Sequence, residues 1–212
     1  MIDVGSDRSQ LASMAERAKD ALEVDCLEAV GDRGYDNGEE ILACEQAGVT
    51  VTLPRPLTSG STSKGRFAKQ DFRYDETRDV YICPAGETLT YRFTIQEKGL
   101  TLHRYWTNAC RDCAVKQQCT TSRERRITRW EHEHVLEAVQ RRLDGHPEKM
   151  RQRRATVEHP FGTIKARMGV THFLTKTLPR VRTEMALHVI AYNLTRVINI
   201  LGTGTLMTAM RA

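Results

Sequence analysis

Between Gln10 and Leu53 the spacing of apolar residues changes period three times, and this alternation constrains the fold more than any other feature of the chain. Gln10 to Leu22 predicts a helix, because Leu11, Met14, Ala15, Ala18 and Leu22 recur at the spacing of one buried face. Val24 to Val30 predicts a strand that stops at Gly31-Asp32-Arg33-Gly34-Tyr35, where Gly34 permits a turn that most residues resist. Asp32 is thereby set at the C-terminal end of a strand. Asn37, three residues before Glu40, reads as a capping box; Ile41-Leu42-Ala43 supplies helix interior and Gly48 is spaced for a C-terminal cap. Val49 to Leu53 is a short β-branched strand, so residues 7–53 read as α/β.

A second zone spans residues 54–145. It opens on a Pro-, Ser-, Gly- and Lys-rich stretch, Pro54 to Lys69, without hydrophobic period, which predicts an exposed loop. Phe72 and Tyr74 face Tyr81 across the polar segment Asp75 to Asp79, the pattern of a hairpin delivering its second strand to Cys83. Cys110, Cys113 and Cys119 follow, one C-x2-C pair joined by two single thiols. Four thiolates suit a closed, structural Zn²⁺ site. The spacing leaves unliganded cysteines and an iron–sulfur site open, and His103 could replace one ligand. Cys26 and Cys44, on the predicted strand and helix, read as small buried hydrophobes.

The third zone is helical. Pro147 can open a helix on which Met150, Val157, Phe161, Ile164 and Met168 make an apolar stripe, with Arg151, Arg154, Glu158 and Lys165 as a polar row beside it. Most such rows are solvated charged faces. Pro160, which removes a backbone donor just after Glu158, argues against a plain surface helix. Arg180 to Leu201 predicts a last helix with Leu187, Ile190, Ala191, Leu194, Ile198 and Leu201 on one face, read as core; residues 202–212 read as a tail. His132 and His134 read as surface residues on opposite sides of a charged helix rather than as metal ligands.

Composition narrows the class. With 40% hydrophobic and 28% charged residues the chain is a globular protein and not disordered throughout. No run approaches the roughly 18 apolar residues of a membrane span and Met1 to Gln10 lacks a signal peptide's pattern, so the expected location is cytoplasmic, with reduced thiols and no membrane contact. The net charge of +5 is modest, but Arg123 to Arg154 holds ten basic residues against six acidic ones, which points to a polyanion partner.

Gly31-Asp32-Arg33-Gly34-Tyr35, followed by Arg154, Glu158 and Lys165 within Val157-Glu158-His159-Pro160-Phe161-Gly162-Thr163-Ile164-Lys165, resembles the DDE transposases of bacterial insertion sequences, in particular their C-terminal portion and a group with a Cys-rich insertion. These enzymes share a Tyr-x2-Arg-x3-Glu-x6-Lys signature; here Arg154, Glu158 and Lys165 keep its spacing, and Arg151 stands where the Tyr would. The resemblance implies a partial ribonuclease H-like fold: residues 7–53 as the second half of the catalytic core, 54–145 as a zinc-binding Cys-rich insertion, and 146–201 as the core helix carrying the catalytic Glu plus a C-terminal helix. It implies Mg²⁺ (or Mn²⁺) held by Asp32 and Glu158, phosphate contacts from Arg154 and Lys165, and DNA, both insertion-sequence ends and target, as substrate.

The family's first Asp lies on an opening strand upstream. Asp3, Asp7, Asp20 and Asp25 do not end an apolar strand, so the chain reads as an N-terminally truncated piece with an exposed strand edge and little or no strand-transfer activity of its own. The apolar stripe of the last helix could then find a second copy of the chain and form a homodimer. The competing reading is a non-catalytic, zinc-supported module that binds DNA through Arg123 to Arg142 and regulates a complete transposase.

Overall fold

The computed structural model describes residues 7–56 and 60–211, so Asp3 lies outside the described residues. Two compact units divide the chain, Arg8–Gly145 and a second containing residues 146–211.

In the first unit, α1 (Leu11–Leu22), β1 (Leu27–Val30), α2 (Gly38–Gln46) and β2 (Val49–Thr52) follow the predicted order. β1 and β2 pair in parallel, from Leu27 opposite Val49 to Val30 opposite Thr52. β1 begins later than its alternation suggests, because α1 ends on Glu23 in the left-handed region (φ 53°) and the next residues make the connection. Cys26 is therefore exposed rather than buried, whereas Cys44 is fully buried as expected. Leu11 and Ala15 are the buried face of α1, and Met14 and Leu22 face solvent. The capping box is half formed. Asn37 accepts from the Glu39 N–H, but Glu40 reaches instead to the Ala12 N–H (2.9 Å) and satisfies an orphan donor at the start of α1. Gly48, at φ 73°, makes the predicted C-terminal cap, and Lys19 donates to the Ala47 carbonyl beside it (2.5 Å).

The predicted insertion is a five-stranded antiparallel meander: β3 (Arg73–Asp75), β4 (Val80–Ile82), β5 (Thr88–Glu97), β6 (Leu100–Trp106) and β7 (Ile127–Trp130), in that spatial order. Tyr74 lies opposite Tyr81, as the hairpin pattern predicts. Side chains alternate across a strand. Tyr81, Leu89, Tyr105 and Ile127 accordingly join Phe72 and Cys119 in one core. On the other face, Leu102 and Trp130 join α1, α2, β2 and α3 (Glu133–Gly145) in a second. The sheet is thus a wall shared by both cores. Half-buried ion pairs fasten it: Glu133 takes Lys69 Nζ at 2.8 Å and the Trp130 N–H at 3.2 Å, and Arg129 forks onto Glu137 at 2.5 and 3.1 Å. His132 precedes α3 and His134 lies on it, their rings 6.1 Å apart, so the two do not sit on opposite sides of one helix.

The second unit contains α4 (Glu148–Arg153), a π-helical turn (Arg154–Glu158), α5 (His159–Ala166) and α6 (Leu178–Ala209). Of the predicted apolar stripe Ile164 is buried, while Val157 and Phe161 are exposed. Leu187, Ile190, Leu194 and Leu201 of α6 are exposed too, so these faces are not core among the described residues. α6 continues past Leu201 to Ala209 with a break at Gly202 (φ 76°). By length and composition α6 is apolar enough to cross a membrane, contrary to the run-length reading, because its Gly, Ala and Thr residues do not lower its mean hydropathy enough. One such helix is weak evidence, and we do not read α6 as a span.

Candidate functional site

Asp32 follows β1 directly. Its Oδ1 accepts the Gly34 N–H at 2.8 Å, which closes an Asx-type turn at the strand's end. The need for glycine differs from the predicted one: Gly34 has no positive φ, but a Cβ there would stand 2.9 Å from Asp32 Oδ1. Asp36, a few residues on, lies 3.6 Å from Arg55, and burial raises its carboxyl pKa against the pull of that guanidinium.

Glu158 closes the π-helical turn in the second unit, so Asp32 and Glu158 belong to different compact units. Pro160 supplies the physical reason for the turn. It has no N–H for the carbonyl one α-turn back, and a widened turn immediately before it accommodates the loss. The turn also changes which side chains meet. Arg153 NH1 lies 3.3 Å from Glu158 Oε1, a pair five residues apart that a regular helix at 100° per residue would hold about 140° apart. Sequence periodicity therefore overlooks Arg153 as the partner of Glu158. Arg154 and Lys165 are exposed, and Arg154 Nε donates to the Met150 carbonyl at 3.4 Å.

Cys83, Cys110, Cys113 and Cys119 line one small cavity of about 20 Å³, together with Phe67, Phe72 and Leu89. A tight turn presents the first of them: Cys83 N–H donates to the Glu87 carbonyl and Gly86 N–H to the Cys83 carbonyl, at 3.0 and 2.8 Å. Burial raises the Cys119 thiol pKa, Arg125 lowers it, and the neighbouring Cys110, Cys83 and Cys113 raise it again. All four are free thiols. Among the described residues no three His, Cys, Asp or Glu side chains stand close enough together to hold a metal ion. His103 is not part of this cavity. Its Nδ1 meets Thr94 Oγ1 at 2.8 Å, and it lines a separate cleft of about 450 Å³ on the sheet with Tyr91, Tyr105 and Asp79. There Asp79 Oδ1 accepts from both Tyr74 and Tyr105 hydroxyls (2.8 and 2.6 Å), a network that sequence spacing does not reveal.

The basic stretch is not uniformly a surface. Arg129 is 8% exposed, its guanidinium 3.7 Å from the Tyr74 ring centroid, and Arg142 donates to the Val51 carbonyl at 2.9 Å. Arg123, Arg126 and Arg141 remain at the surface.

A mixed α/β protein with a cysteine-lined cavity and a carboxylate at a kinked basic helix is the class defined so far. The family model described as Transposase DDE domain matches residues 82–198, more than half of the chain, and the chain belongs to that family. The matched span takes in the four clustered cysteines and Arg154, Glu158 and Lys165, whereas Asp32 lies outside it. No curated protein and no solved structure matches the chain.

Proposed function

We propose that the chain acts in DNA transposition, through metal-dependent strand cleavage and strand transfer on a ribonuclease H-like core, with Asp32 and Glu158 as two of its carboxylate ligands. The observation that carries this reading is membership of the transposase family over a span that includes Arg154, Glu158 and Lys165 at the motif spacing. Mg²⁺ or Mn²⁺, when bound, would stabilise the attacking and leaving oxygens of an in-line phosphoryl displacement. The chain's own part is to supply and orient ligands. The Gly34 N–H fixes one oxygen of Asp32, Arg153 holds Glu158, and the exposed Arg154 and Lys165 offer charge to DNA phosphates. Transposition would be carried out in the cytoplasm.

Zn²⁺ at Cys83, Cys110, Cys113 and Cys119 would be structural. Support comes from their shared cavity and from the preference of Zn²⁺ for thiolate sulfur. The thiols would have to close inward to coordinate it.

The chemistry uses three carboxylates and two are assigned here, so the chain alone is expected to show little or no strand transfer. The test is incubation of the purified chain with a duplex ending in free 3′-hydroxyls in Mg²⁺ or Mn²⁺. Joined products lost on Glu158→Ala would overturn the inactivity and establish the catalysis. Mn²⁺ binding lowered by both Asp32→Asn and Glu158→Gln is the expected result; binding indifferent to both would overturn the ligand assignment. The second reading, a non-catalytic DNA-binding regulator, is favoured by the surface arginines of the sheet unit. It predicts DNA binding lost on zinc removal and no dependence on Asp32 or Glu158. A homodimer through the exposed face of α6 would suit either reading.

A further inference from the structure

β5 and β6 pair regularly except between Tyr91 and Phe93, where the register shifts: Tyr91 lies opposite Tyr105 and Phe93 opposite Arg104, leaving Arg92 as an extra residue. A bulge re-aims side chains. Tyr91 and Thr94 meet on the face of Tyr105 and His103, their hydroxyls 2.9 Å apart. Arg92 and Phe93, although consecutive, both turn to the opposite face and meet Trp106. The Arg92 guanidinium carbon lies 5.4 Å from the Trp106 ring centroid, and the Phe93 ring meets the indole edge-on at 5.7 Å. From the loop after Cys119, Arg126 brings a second guanidinium over the same ring, at 4.9 Å.

Two exposed arginines are thus held on one half-buried indole. Arginines normally avoid one another, and the ring quadrupole offsets their repulsion. A guanidinium held over a ring loses little further freedom when its remaining N–H donors bind a phosphate. Arg126 is partly neutralised by Glu124, whose Oε1 accepts from its Nε at 3.1 Å and its NH2 at 2.8 Å, and Arg92 Nε donates to the Trp106 carbonyl at 3.4 Å; each guanidinium keeps its NH1 for another acceptor. Arg123, also exposed, adds charge from the same loop. Both guanidinium groups lie over the indole, so it is a support for cations and not a free platform for an unstacked base.

We infer that the Arg92–Trp106–Arg126 stack, raised by the β5 bulge, is a docking surface for the phosphate backbone of duplex DNA. The inference rests on the transposase reading, which makes DNA the substrate, and adds where on the sheet unit the duplex is held. It also explains why the bulge displays Arg92 beside the exposed Phe93 and the half-buried Trp106.

The test uses the full chain and a mixed-sequence duplex of about 30 base pairs, titrated between about 50 and 200 mM salt. Arg92→Gln and Arg126→Gln each remove one cation and keep the sheet. Together they are expected to weaken binding about tenfold or more and to lower the log–log salt slope by about 2, one for each phosphate that is no longer neutralised. Arg78→Gln removes the same charge from the β3–β4 turn, where Arg78 pairs with Asp75, and should leave the slope unchanged. Trp106→Phe, which keeps an aromatic support, should fall between wild type and the double variant. A double variant that binds like wild type, or like Arg78→Gln, overturns the docking surface and leaves the transposase reading intact. Tighter binding of a single strand of the same length overturns it as well. Failure of the wild-type chain to bind DNA at all would overturn both.

Discussion

Lys69→Met isolates the Glu133 carboxylate inside the sheet unit. Glu133 is 8% exposed, and two groups face its oxygens: the Lys69 ammonium at 2.8 Å and the Trp130 N–H at 3.2 Å. Burial pushes the Glu133 carboxyl up, but Lys69 and the Trp130 N–H outweigh it and hold the pKa below the usual range. Methionine fills most of the lysine's volume and removes the charge, leaving one backbone donor for a buried anion. Breaking a buried pair on one side costs about 3–5 kcal/mol. Lys69 is itself 41% exposed, so solvent already screens the pair, and we expect less than that, about 2–3 kcal/mol at neutral pH. The pH dependence separates this cause from a packing defect. In the wild type the depressed carboxyl stabilises the fold above its unfolded pKa, and that contribution is lost as pH falls through the folded pKa. In the variant burial is opposed only by the Trp130 N–H and the charge of Arg55, so the folded pKa is expected to rise above the unfolded one and the penalty is relieved as pH falls. The gap between the two proteins should therefore close from about pH 7 to about pH 4. Urea unfolding followed by the fluorescence of Trp130, which is buried beside the pair, measures it. A gap under about 1 kcal/mol, or one of constant size across that pH range, would refute the reasoning.

Gly34→Ala should leave overall stability within about 1 kcal/mol but displace the Asp32 carboxylate, since a Cβ would stand 2.9 Å from its Oδ1; weaker Mn²⁺ binding with an unchanged unfolding midpoint is the expected pair of results. Pro160→Ala restores the helical N–H and removes the cause of the π-helical turn. It should raise helical circular dichroism, and a double-mutant cycle on Arg153 and Glu158 should fall from about 0.3–0.5 kcal/mol to nothing. Cys113→Ser should reduce bound zinc from about one ion per chain to a small fraction, read by elemental analysis, and lower the melting temperature of the zinc-loaded protein by several degrees. Recovery of the wild-type protein with iron, or with no metal, would count against zinc.

The sequence signals that succeeded were local. Period and caps located α1, α2, β2 and the Asp32 turn, because each rests on contacts within a few residues. Tyr74 and Tyr81 declared a hairpin for the same reason. β5 does carry an alternation, Leu89, Tyr91, Phe93 and Ile95 against Thr88, Thr90, Arg92 and Thr94, but the Arg92 bulge sets Tyr91 and Phe93 on opposite faces, which that alternation cannot reveal. The burial of Trp130 and Glu133 leaves no mark in the local sequence because their partners, Lys69 among them, are distant in sequence. Glu40 was legible as a cap, but it caps α1 instead of its own helix. At the candidate site, it is the family resemblance that singles out Glu158, while its partner Arg153 depends on a π-helical turn that a 100° wheel cannot represent.

The bulge in β5 has an evolutionary consequence. Because Arg92 has no place in the β5–β6 register, its codon can be gained or lost without moving any other pair of the ladder: Tyr91 would still meet Tyr105, and Phe93 would still meet Arg104. Most single-residue insertions in a strand turn everything beyond them to the wrong face. This position is spared that constraint, so related chains can acquire or discard a surface cation here in one step while the aromatic network beneath it stays in register.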